Sequence, residues 1–284
     1  MTQAGPLVSI VMNCYNSDEF LKDAIDSIYC QSYQNWEIIF WDNGSSDSSS
    51  LIAKSYDEKL KYFHSTKTTP LGEARNMAMK KTSGKYVTFL DCDDLYLPER
   101  IEFQVNAMEN NSTVLSFGSW MEINAFGEAV KKYKIDSESG NFFEKLLYKY
   151  NVNFQTLMID NDFLKKNKIH FDSELTFAPD FNLVMKIALL NNISSIDNYL
   201  AKYRVHSNSM THKYQKDKYN DFNFTIKKLE DMGASDLYPK FKYLASAMLY
   251  RMKYRDQIKS NRYFSAFMSL ICFILLRSRV ALIK

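Results

Sequence analysis

The chain has 284 residues and a net charge of +3, with 46% hydrophobic and 24% charged residues. This length can bury one large core plus a smaller appendage, and the lack of repeats or low-complexity tracts excludes solenoid and collagen-like classes. The four cysteines contain no C-x-x-C pair, which excludes a disulfide framework and a zinc ribbon and favours a reducing compartment. Residues 1–6 lack the basic and apolar regions of a signal peptide, so we expect a cytoplasmic protein.

The first half of the chain alternates strand-like and helix-like segments. Short apolar runs rich in β-branched residues predict strands at residues 7–12, 36–41, 61–64 and 86–90. Apolar residues at helical spacing predict helices at residues 18–29, 47–56, 72–82 and 98–108. This alternation predicts an α/β fold whose parallel strands are joined by right-handed crossovers.

The second half of the chain is less regular. Strands are predicted at residues 114–120, 157–159, 193–196 and 199–205, and helices at residues 140–150 and 180–190. Beyond about residue 210 the pattern becomes helical. We therefore predict a main domain over residues 1–212, with halves at 1–110 and 111–212, followed by a helical region over 213–284.

Three carboxylates follow the predicted strand at residues 86–90. Asp91, Asp93 and Asp94 lie within four residues of one another, and buried carboxylates this close need a cation to offset their repulsion. Mg²⁺ and Mn²⁺ prefer such oxygen ligands and often share them with substrate phosphates. The pattern indicates either a metal site or an acidic turn that caps the following helix.

Two other predicted strands also end in polar residues. After the strand at 36–41 the chain continues from Asp42 with Asn-Gly-Ser-Ser-Asp, where Gly44 permits a tight turn. These side chains suit a nucleobase or ribose, or simply the cap of the next helix. Asn13 and Tyr15 follow the first strand, and the ring of Tyr15 can stack on a base. Because ligands bind at the carboxyl ends of parallel strands, we expect one ligand site there.

Three segments carry a resemblance to a known family. VSIVMNCYN, AIDSIYCQSYQNWEIIFWDNGSSD and GEARNMAMKKTSGKYVTFLDCDD, taken in that order, resemble the bacterial family 2 glycosyltransferases. The resemblance implies a GT-A fold, a Rossmann-like, mostly parallel mixed sheet flanked by helices, with a nucleotide-sugar-binding half (1–110) and an acceptor-binding half (111–212). It also implies inverting, metal-dependent transfer from a nucleotide-sugar, with a UDP-sugar favoured, to a glycan acceptor in cell-surface polysaccharide, O-antigen or lipooligosaccharide synthesis.

The same resemblance assigns roles to individual residues. Tyr15 and Asp42 match positions that meet the nucleobase, and Arg75 matches one near the base and phosphates. The implied donor-binding set is Asn13, Tyr15, Asp42, Arg75, Asp91 and His206.

The acidic cluster receives divided roles from the resemblance. Asp91 matches the ribose or metal-adjacent carboxylate, and Asp93 matches the direct ligand of Mn²⁺ or Mg²⁺, with Asp94 a weaker candidate. Asn13 stands where many relatives have Pro or Thr, and Asn43 where many have a second Asp. Both departures lie beside the base, so they leave the identity of the nucleotide open.

Asp180 is the predicted catalytic base. Inversion by one displacement needs a carboxylate to take the proton of the attacking hydroxyl, and relatives place it in an acidic pair at a helix start. Asp180 matches that position, Pro179 replaces the first acidic residue, and an ordinary helix-dipole role stays open. Glu174 is the alternative base. His206 matches a position near the diphosphate and metal, with a structural histidine as the alternative.

The C-terminal tail is basic and apolar. Residues 251–284 carry eight Lys or Arg and one Asp, a net +7, which leaves −4 for the remainder of the chain. Its uncharged stretch at residues 263–276 is shorter than the ~20 residues that cross a bilayer. The tail therefore predicts either a helix packed on the domain or in a dimer, or a peripheral contact with the inner membrane. A lipid-linked glycan acceptor suits the second interpretation, and we expect no nucleic-acid partner.

Two other functions compete with the transferase interpretation. A sugar nucleotidyltransferase normally carries a Gly-rich, basic loop after its first strand, whereas this chain has NCYNSDEF there. A non-catalytic nucleotide-sugar or glycan-binding module with a decayed site stays open because of Asn13, Asn43 and Pro179.

Overall fold

The computed structural model describes residues 5–206 and 218–282, and the strands of these residues join in one sheet. The strands are β1 (Val8–Cys14), β2 (Trp36–Asp42), β3 (Leu60–His64), β4 (Tyr86–Phe89), β5 (Leu95–Tyr96), β6 (Leu115–Ile123), β7 (Ala129–Tyr133), β8 (Glu138–Gly140), β9 (Met158–Asp160) and β10 (Ile193–Arg204). The helices are α1 (Asp18–Tyr29), α2 (Ser49–Lys54), α3 (Leu71–Met79), α4 (Arg100–Asn111), α5 (Phe143–Tyr148), α6 (Asn161–Lys166), α7 (Pro179–Leu190), α8 (Lys218–Asp231), α9 (Ala234–Leu237), α10 (Phe241–Lys259) and α11 (Tyr263–Leu282).

The sheet runs in the order β3-β2-β1-β4-β9-β6-β10-β5, with β7 beside β6 and β8 beside β10. The first four strands pair in parallel. Strand β9 lies antiparallel between β4 and β6, while β10 runs parallel to β6 and antiparallel to β5. The predicted mixed sheet flanked by helices is confirmed, with the antiparallel pairs concentrated in the second half.

Strands β1 and β2 are buried on both faces, which explains their unbroken apolar sequence. Ile10 and Ile38 belong to the core cluster that α1 and α4 cover, whereas their neighbours Val11 and Ile39 belong to the cluster on the other face. Because side chains alternate along a strand, each strand supplies both cores. This two-sided burial holds the carboxyl ends of β1, β2 and β4 in register.

Several predicted boundaries in the second half were wrong. The helix predicted at 140–150 begins at Phe143, because Gly140 lies in β8 with φ +137° and the Asn141 side chain accepts the N–H of Phe143. The strands predicted at 193–196 and 199–205 form one strand, β10, whose register shifts on either side of Tyr199. The short elements β5, β7, β8 and α6 were not predicted.

The C-terminal helices share the core of the sheet. Phe222 of α8 and Phe241 of α10 lie in the same buried cluster as Phe181 of α7. The boundary predicted at residues 212 and 213 lies outside the described residues. Helix α11 has 20 residues, more than the uncharged stretch alone, and leaves large apolar side chains such as Phe264 (80% exposed) in contact with solvent. By length and composition alone, Tyr263–Val280 is apolar enough to cross a membrane.

Candidate active site

A cleft of about 890 Å³ opens at the carboxyl ends of β1, β2 and β4. The beginning of α7 and the residues that follow β10 close its other side. Predicted site residues from five separate segments of the sequence line it together: Asn13, Tyr15, Arg75, Asp91, Asp93, Asp180 and His206. Asp42 and the weaker candidate Asp94 do not line the cleft, and the alternative base Glu174 is exposed outside it.

Asp91 is held by Arg75 of α3 and by Gln155 of a short 3₁₀ helix (Phe154–Thr156). Its Oδ1 lies 3.2 Å from Nη2 of Arg75, and its Oδ2 accepts a 2.6 Å hydrogen bond from Nε2 of Gln155. The N–H of Asp91 donates to Oε1 of Gln155 at 3.0 Å, so the two residues bind each other reciprocally. The Arg75 guanidinium in turn stacks on the ring of Phe154 at 3.9 Å. The carboxylate therefore faces the cleft in a fixed orientation.

Asp93 pairs with His206. Its Oδ2 lies 2.9 Å from Nε2 of the imidazole, which follows β10, and the ring of Phe20 packs 5.4 Å from that imidazole, centroid to centroid. Burial raises the pKa of the Asp93 carboxyl, and the charge of Asp91 adds to the rise, while His206 partly offsets it. The pair thus places one carboxylate and one imidazole side by side in the cleft.

Asp94 has a structural position instead. Its side chain is fully buried away from the cleft, and its Oδ1 accepts a 2.6 Å hydrogen bond from the N–H of Arg204. Burial, followed by the charges of Asp93 and Asp91, raises the pKa of Asp94 well above its usual range. Arg204 also donates through Nε to the backbone oxygen of Asp93 at 2.8 Å. The acidic turn is therefore joined to the end of β10.

The side chains of Asp93 and His206 fit a divalent cation that is shared with a substrate. Within the described part of the chain, no three His, Cys, Asp or Glu side chains form a complete metal site. Asp93 and His206 supply one oxygen and one nitrogen ligand beside open space, and Mg²⁺ or Mn²⁺ commonly completes such a set with phosphate oxygens. A cation there also relieves the repulsion between Asp91 and Asp93 that raises the pKa of Asp93.

The cleft also carries amide and aromatic groups. Tyr15 is 52% exposed at the cleft, and Nδ2 of Asn13 is buried without a hydrogen-bond partner among the described residues. Asn43 lines the cleft too, where its Nδ2 donates to the backbone oxygen of Thr69 at 2.8 Å. Gly44 adopts φ +87°, which provides the tight turn that follows β2. These groups suit a planar, hydrogen-bonding ligand.

Asp42 is fully buried and directly precedes Asn43 in the sequence. Its Oδ2 accepts a 2.6 Å hydrogen bond from the Tyr62 hydroxyl, and its Oδ1 accepts one from the N–H of Ser45 at 2.7 Å. Burial by itself would raise the pKa of Asp42, but these hydrogen bonds outweigh it and the pKa is lowered. The carboxylate thus organises the turn that presents Asn43, and its predicted contact with a nucleobase stays a prediction.

Asp180 lies in the first turn of α7, behind Pro179 at the helix start. Burial raises the pKa of its carboxyl, and the positive charge of Arg75 works against that rise. The Tyr150 hydroxyl lies 3.5 Å from Oδ2. A carboxylate with a raised pKa in a cleft has the property expected of a general base.

Two residues of the site were missed by sequence reasoning. Gln155 lies in a short 3₁₀ helix (Phe154–Thr156), and Tyr150 precedes it; both line the cleft. Neither belongs to a recognisable motif, and Gln155 reaches Asp91 only because β9 pairs with β4. The sequence offered no signal for either.

Comparison with known families identifies the matched region. The sequence model of glycosyl transferase family 2 matches residues 9–173. An Escherichia coli relative, UDP-Glc:alpha-D-GlcNAc-diphosphoundecaprenol beta-1,3-glucosyltransferase WfgD, is 29% identical over 211 residues, which cover 72% of this chain and 79% of the relative. An uncharacterized glycosyltransferase of Rickettsia felis is 32% identical over 206 residues, which cover 72% of this chain. This chain spans only 34% of the length of that relative.

Solved structures share the fold. Staphylococcus aureus TarS 1–349 in complex with UDP-GlcNAc aligns with a TM-score of 0.70 at 18% identity, covering 95% of this chain and 81% of that TarS 1–349 chain. The mannosyltransferase PcManGT of Pyrobaculum calidifontis, in complex with GDP-Man and Mn²⁺, aligns with a TM-score of 0.61 at 13% identity, covering 98% and 92%. The similarity to these glycosyltransferase structures confirms the GT-A fold class.

Proposed function

The chain belongs to glycosyl transferase family 2, and on that premise we propose that it transfers a sugar from a nucleotide-sugar to a glycan acceptor with inversion. The observation that carries the proposal is the convergence of Asp91, Asp93 and Asp180 on one cleft, although Asp93 and Asp180 are 87 positions apart in the sequence. The family membership also favours this function over a nucleotidyltransferase or a non-catalytic binding module.

In this proposal the donor nucleotide binds beside Tyr15, Asn13 and Asp91. Tyr15 offers an exposed ring for stacking on the base, and Asn13 offers an amide N–H without a protein partner. Asp91, held by Arg75 and Gln155, presents a fixed carboxylate to the ribose hydroxyls. These contacts orient the sugar–phosphate bond towards Asp180.

The leaving diphosphate lies next to Asp93 and His206 in this proposal. Asp93 and His206 would hold a divalent cation, which would supply positive charge to the departing diphosphate, a contribution of several kcal/mol. Arg75 contributes a further fixed positive charge at the wall of the cleft. Removal of divalent cations by EDTA is therefore expected to weaken nucleotide binding and to stop transfer, and added Mn²⁺ should restore both.

Asp180 acts as the base at the acceptor end. Its carboxylate takes the proton of an acceptor hydroxyl while that oxygen attacks the anomeric carbon and the bond to the diphosphate breaks on the opposite face. Burial raises the pKa of Asp180, which strengthens it as a proton acceptor at near-neutral pH. One displacement of this kind inverts the configuration at the anomeric carbon.

A UDP-sugar is the favoured donor. The relative named for UDP-Glc and the TarS complex with UDP-GlcNAc support it, whereas the PcManGT complex with GDP-Man supports a guanine nucleotide. A thermal-shift panel of UDP-, GDP- and dTDP-sugars, with and without Mn²⁺, distinguishes them. Ligand at 100 times its Kd adds about 2.7 kcal/mol of stability, so the correct nucleotide should raise the melting temperature clearly above the others.

Three variants test the catalytic assignment. Asp180→Ala should lower turnover about 10²- to 10⁴-fold while nucleotide binding persists, because only proton transfer is lost. Asp93→Ala should remove the dependence of nucleotide affinity on Mn²⁺. Glu174→Ala, an exposed carboxylate outside the cleft, is the matched control and should retain wild-type rates. Equal transfer rates in all of these proteins would overturn the proposal.

The acceptor is proposed to be a glycan or lipid-linked glycan of the cell surface, used at the cytoplasmic face of the inner membrane. The E. coli relative is named for a diphosphoundecaprenol-linked sugar, which supports a lipid-linked acceptor. The exposed apolar side chains of α11, such as Phe264 and Phe267, and the basic residues around it suit a membrane surface.

Co-sedimentation with vesicles tests the membrane contact. Wild-type protein should sediment with phosphatidylglycerol vesicles and less with neutral phosphatidylcholine vesicles, because the tail is basic. A variant that ends after Lys259 should lose this binding yet keep its affinity for nucleotide. If the truncated protein sediments as well as the wild type, the membrane contact of α11 is refuted.

A further inference from the structure

Asp221 connects the C-terminal helical region to the active site. It lies in the first turn of α8 and is 5% exposed. Its Oδ2 accepts hydrogen bonds from three successive backbone N–H groups, those of Thr176 at 3.1 Å, Phe177 at 2.6 Å and Ala178 at 2.9 Å. These three residues immediately precede α7, whose first turn carries Asp180.

We propose that Asp221 is a positioning residue for Asp180, an inference that rests on the proposed role of Asp180 as the base. Ala178 occupies the cap position of α7 and has no side chain that accepts a hydrogen bond. Asp221 supplies the missing acceptor from another helix. Hydrogen bonds to a carboxylate are roughly twice as strong as neutral ones, and a negative charge beside a helix N-terminus is favourable.

The packing of α8 on α7 supports this connection. The rings of Phe181 and Phe222 stack with centroids 4.1 Å apart. One turn further along α8, Nδ2 of Asn182 donates to Oγ1 of Thr225 at 3.2 Å in a fully buried contact. Helix α8 thus contacts α7 both at the loop before Asp180 and along the helix itself. The family match ends at residue 173, before either helix begins.

Three variants separate positioning from general stability. Asp221→Ala removes the acceptor of all three N–H groups, and Asp221→Asn retains an oxygen acceptor without the charge. Thr225→Val is the matched control, because it breaks a buried contact between α7 and α8 without touching the loop at 176–178. The quantities to measure in each variant are kcat, the KM for the donor, the Kd for UDP and the backbone amide exchange of residues 176–181.

Asp221→Ala should raise amide exchange at residues 176–181 and lower kcat, by about 10²-fold if Asp180 shifts by about 1 Å. The Kd for UDP should change far less than kcat, because no hydrogen bond among the described residues joins residues 176–178 to Asn13, Tyr15 or Asp91. Asp221→Asn should recover part of the lost kcat. Thr225→Val should lower the melting temperature and leave kcat near the wild-type value.

Two results would overturn the proposal. One is an unchanged amide exchange at 176–181 together with an unchanged kcat in folded Asp221→Ala. The other is an equal loss of kcat in Thr225→Val, which would indicate a merely structural role. Amide exchange needs no substrate, so it tests the positioning even if the protein fails to transfer a sugar, whereas such a failure in wild type would count against the proposed function alone.

Discussion

Substitution of Gln155 tests how the carboxylate of Asp91 is held in place. Its side chain is 1% exposed and makes two hydrogen bonds with Asp91, one to Oδ2 at 2.6 Å and one from the backbone N–H at 3.0 Å. Gln155→Ala removes both, and the contact of Oδ1 with Arg75 is then the one that holds the Asp91 carboxylate among the described residues. The carboxylate should then sample orientations that do not fit a ribose.

The size of the effect follows from these contacts. A hydrogen bond to a charged group contributes about 1.5–3 kcal/mol, and the second, neutral bond contributes about 0.5–1.5 kcal/mol. If the energy of the charged bond is needed to reorder Asp91 in the complex, the Kd for nucleotide rises about 10- to 150-fold. Isothermal titration of the nucleotide chosen by the thermal-shift panel measures this change, and urea unfolding measures the accompanying loss of stability.

Gln104→Ala is the matched control. Gln104 is also a buried glutamine, and its Nε2 donates to the backbone oxygen of Thr156 at 2.8 Å in the same 3₁₀ helix, but no hydrogen bond joins it to Asp91 among the described residues. This variant should lose stability and retain the wild-type Kd. Wild-type affinity in Gln155→Ala, or an equal loss of affinity in both variants, would refute the role assigned to Gln155.

Two further predictions concern titration. The proposed base Asp180 must be ionised to act, and burial raises its pKa. The acid limb of the plot of kcat against pH should therefore lie at a higher pH than the usual pKa of Asp. Arg75→Met should move this limb to still higher pH, since the guanidinium opposes the rise, and an unmoved limb would contradict the assignment of Asp180. Tyr62→Phe should cost about 1.5–3 kcal/mol of stability at pH 7, because Asp42 loses a hydrogen bond to its charged form. Because the pKa of Asp42 is lowered in the folded protein, its ionised form stabilises the fold at pH values above the pKa of Asp in the unfolded chain. The difference in unfolding free energy between wild type and Tyr62→Phe, measured in urea, should therefore become smaller as the pH falls through the ordinary pKa of Asp. A difference that does not depend on pH would refute this role of Tyr62.

The sequence predicted the parallel half of the fold well, for a physical reason. Strands β1, β2 and β4 are buried on both faces, so their apolar runs are unbroken and their polar ends stand out. Strand β7 is mostly exposed and carries Lys131 and Lys132, so it lacks that signal. Strands β5 and β8 are too short to show a period.

Site residues that directly follow a strand could be predicted from the sequence, whereas those that are placed by tertiary contacts could not. Asp91 and Asp93 follow β4 directly, so their place in a parallel sheet located them in advance. Gln155 and Asp221 act across long separations in the chain, and a lone Gln or Asp carries no pattern that predicts its partner. The same limit applies to Asp42: its residue type suggested ligand binding, but the sequence could not show that its side chain is fully buried.

The pairing of β4 with β9 bears on how far the molecule can be divided. A fragment that ends near residue 110 would keep β1 to β4 but would lose β9, and the backbone of Tyr86 to Thr88 would become an unpaired edge. Apolar edge strands of this kind recruit other chains and aggregate. Residues 1–110 are therefore not expected to fold autonomously, and exchanges between relatives should replace residues within the sheet rather than the whole segment.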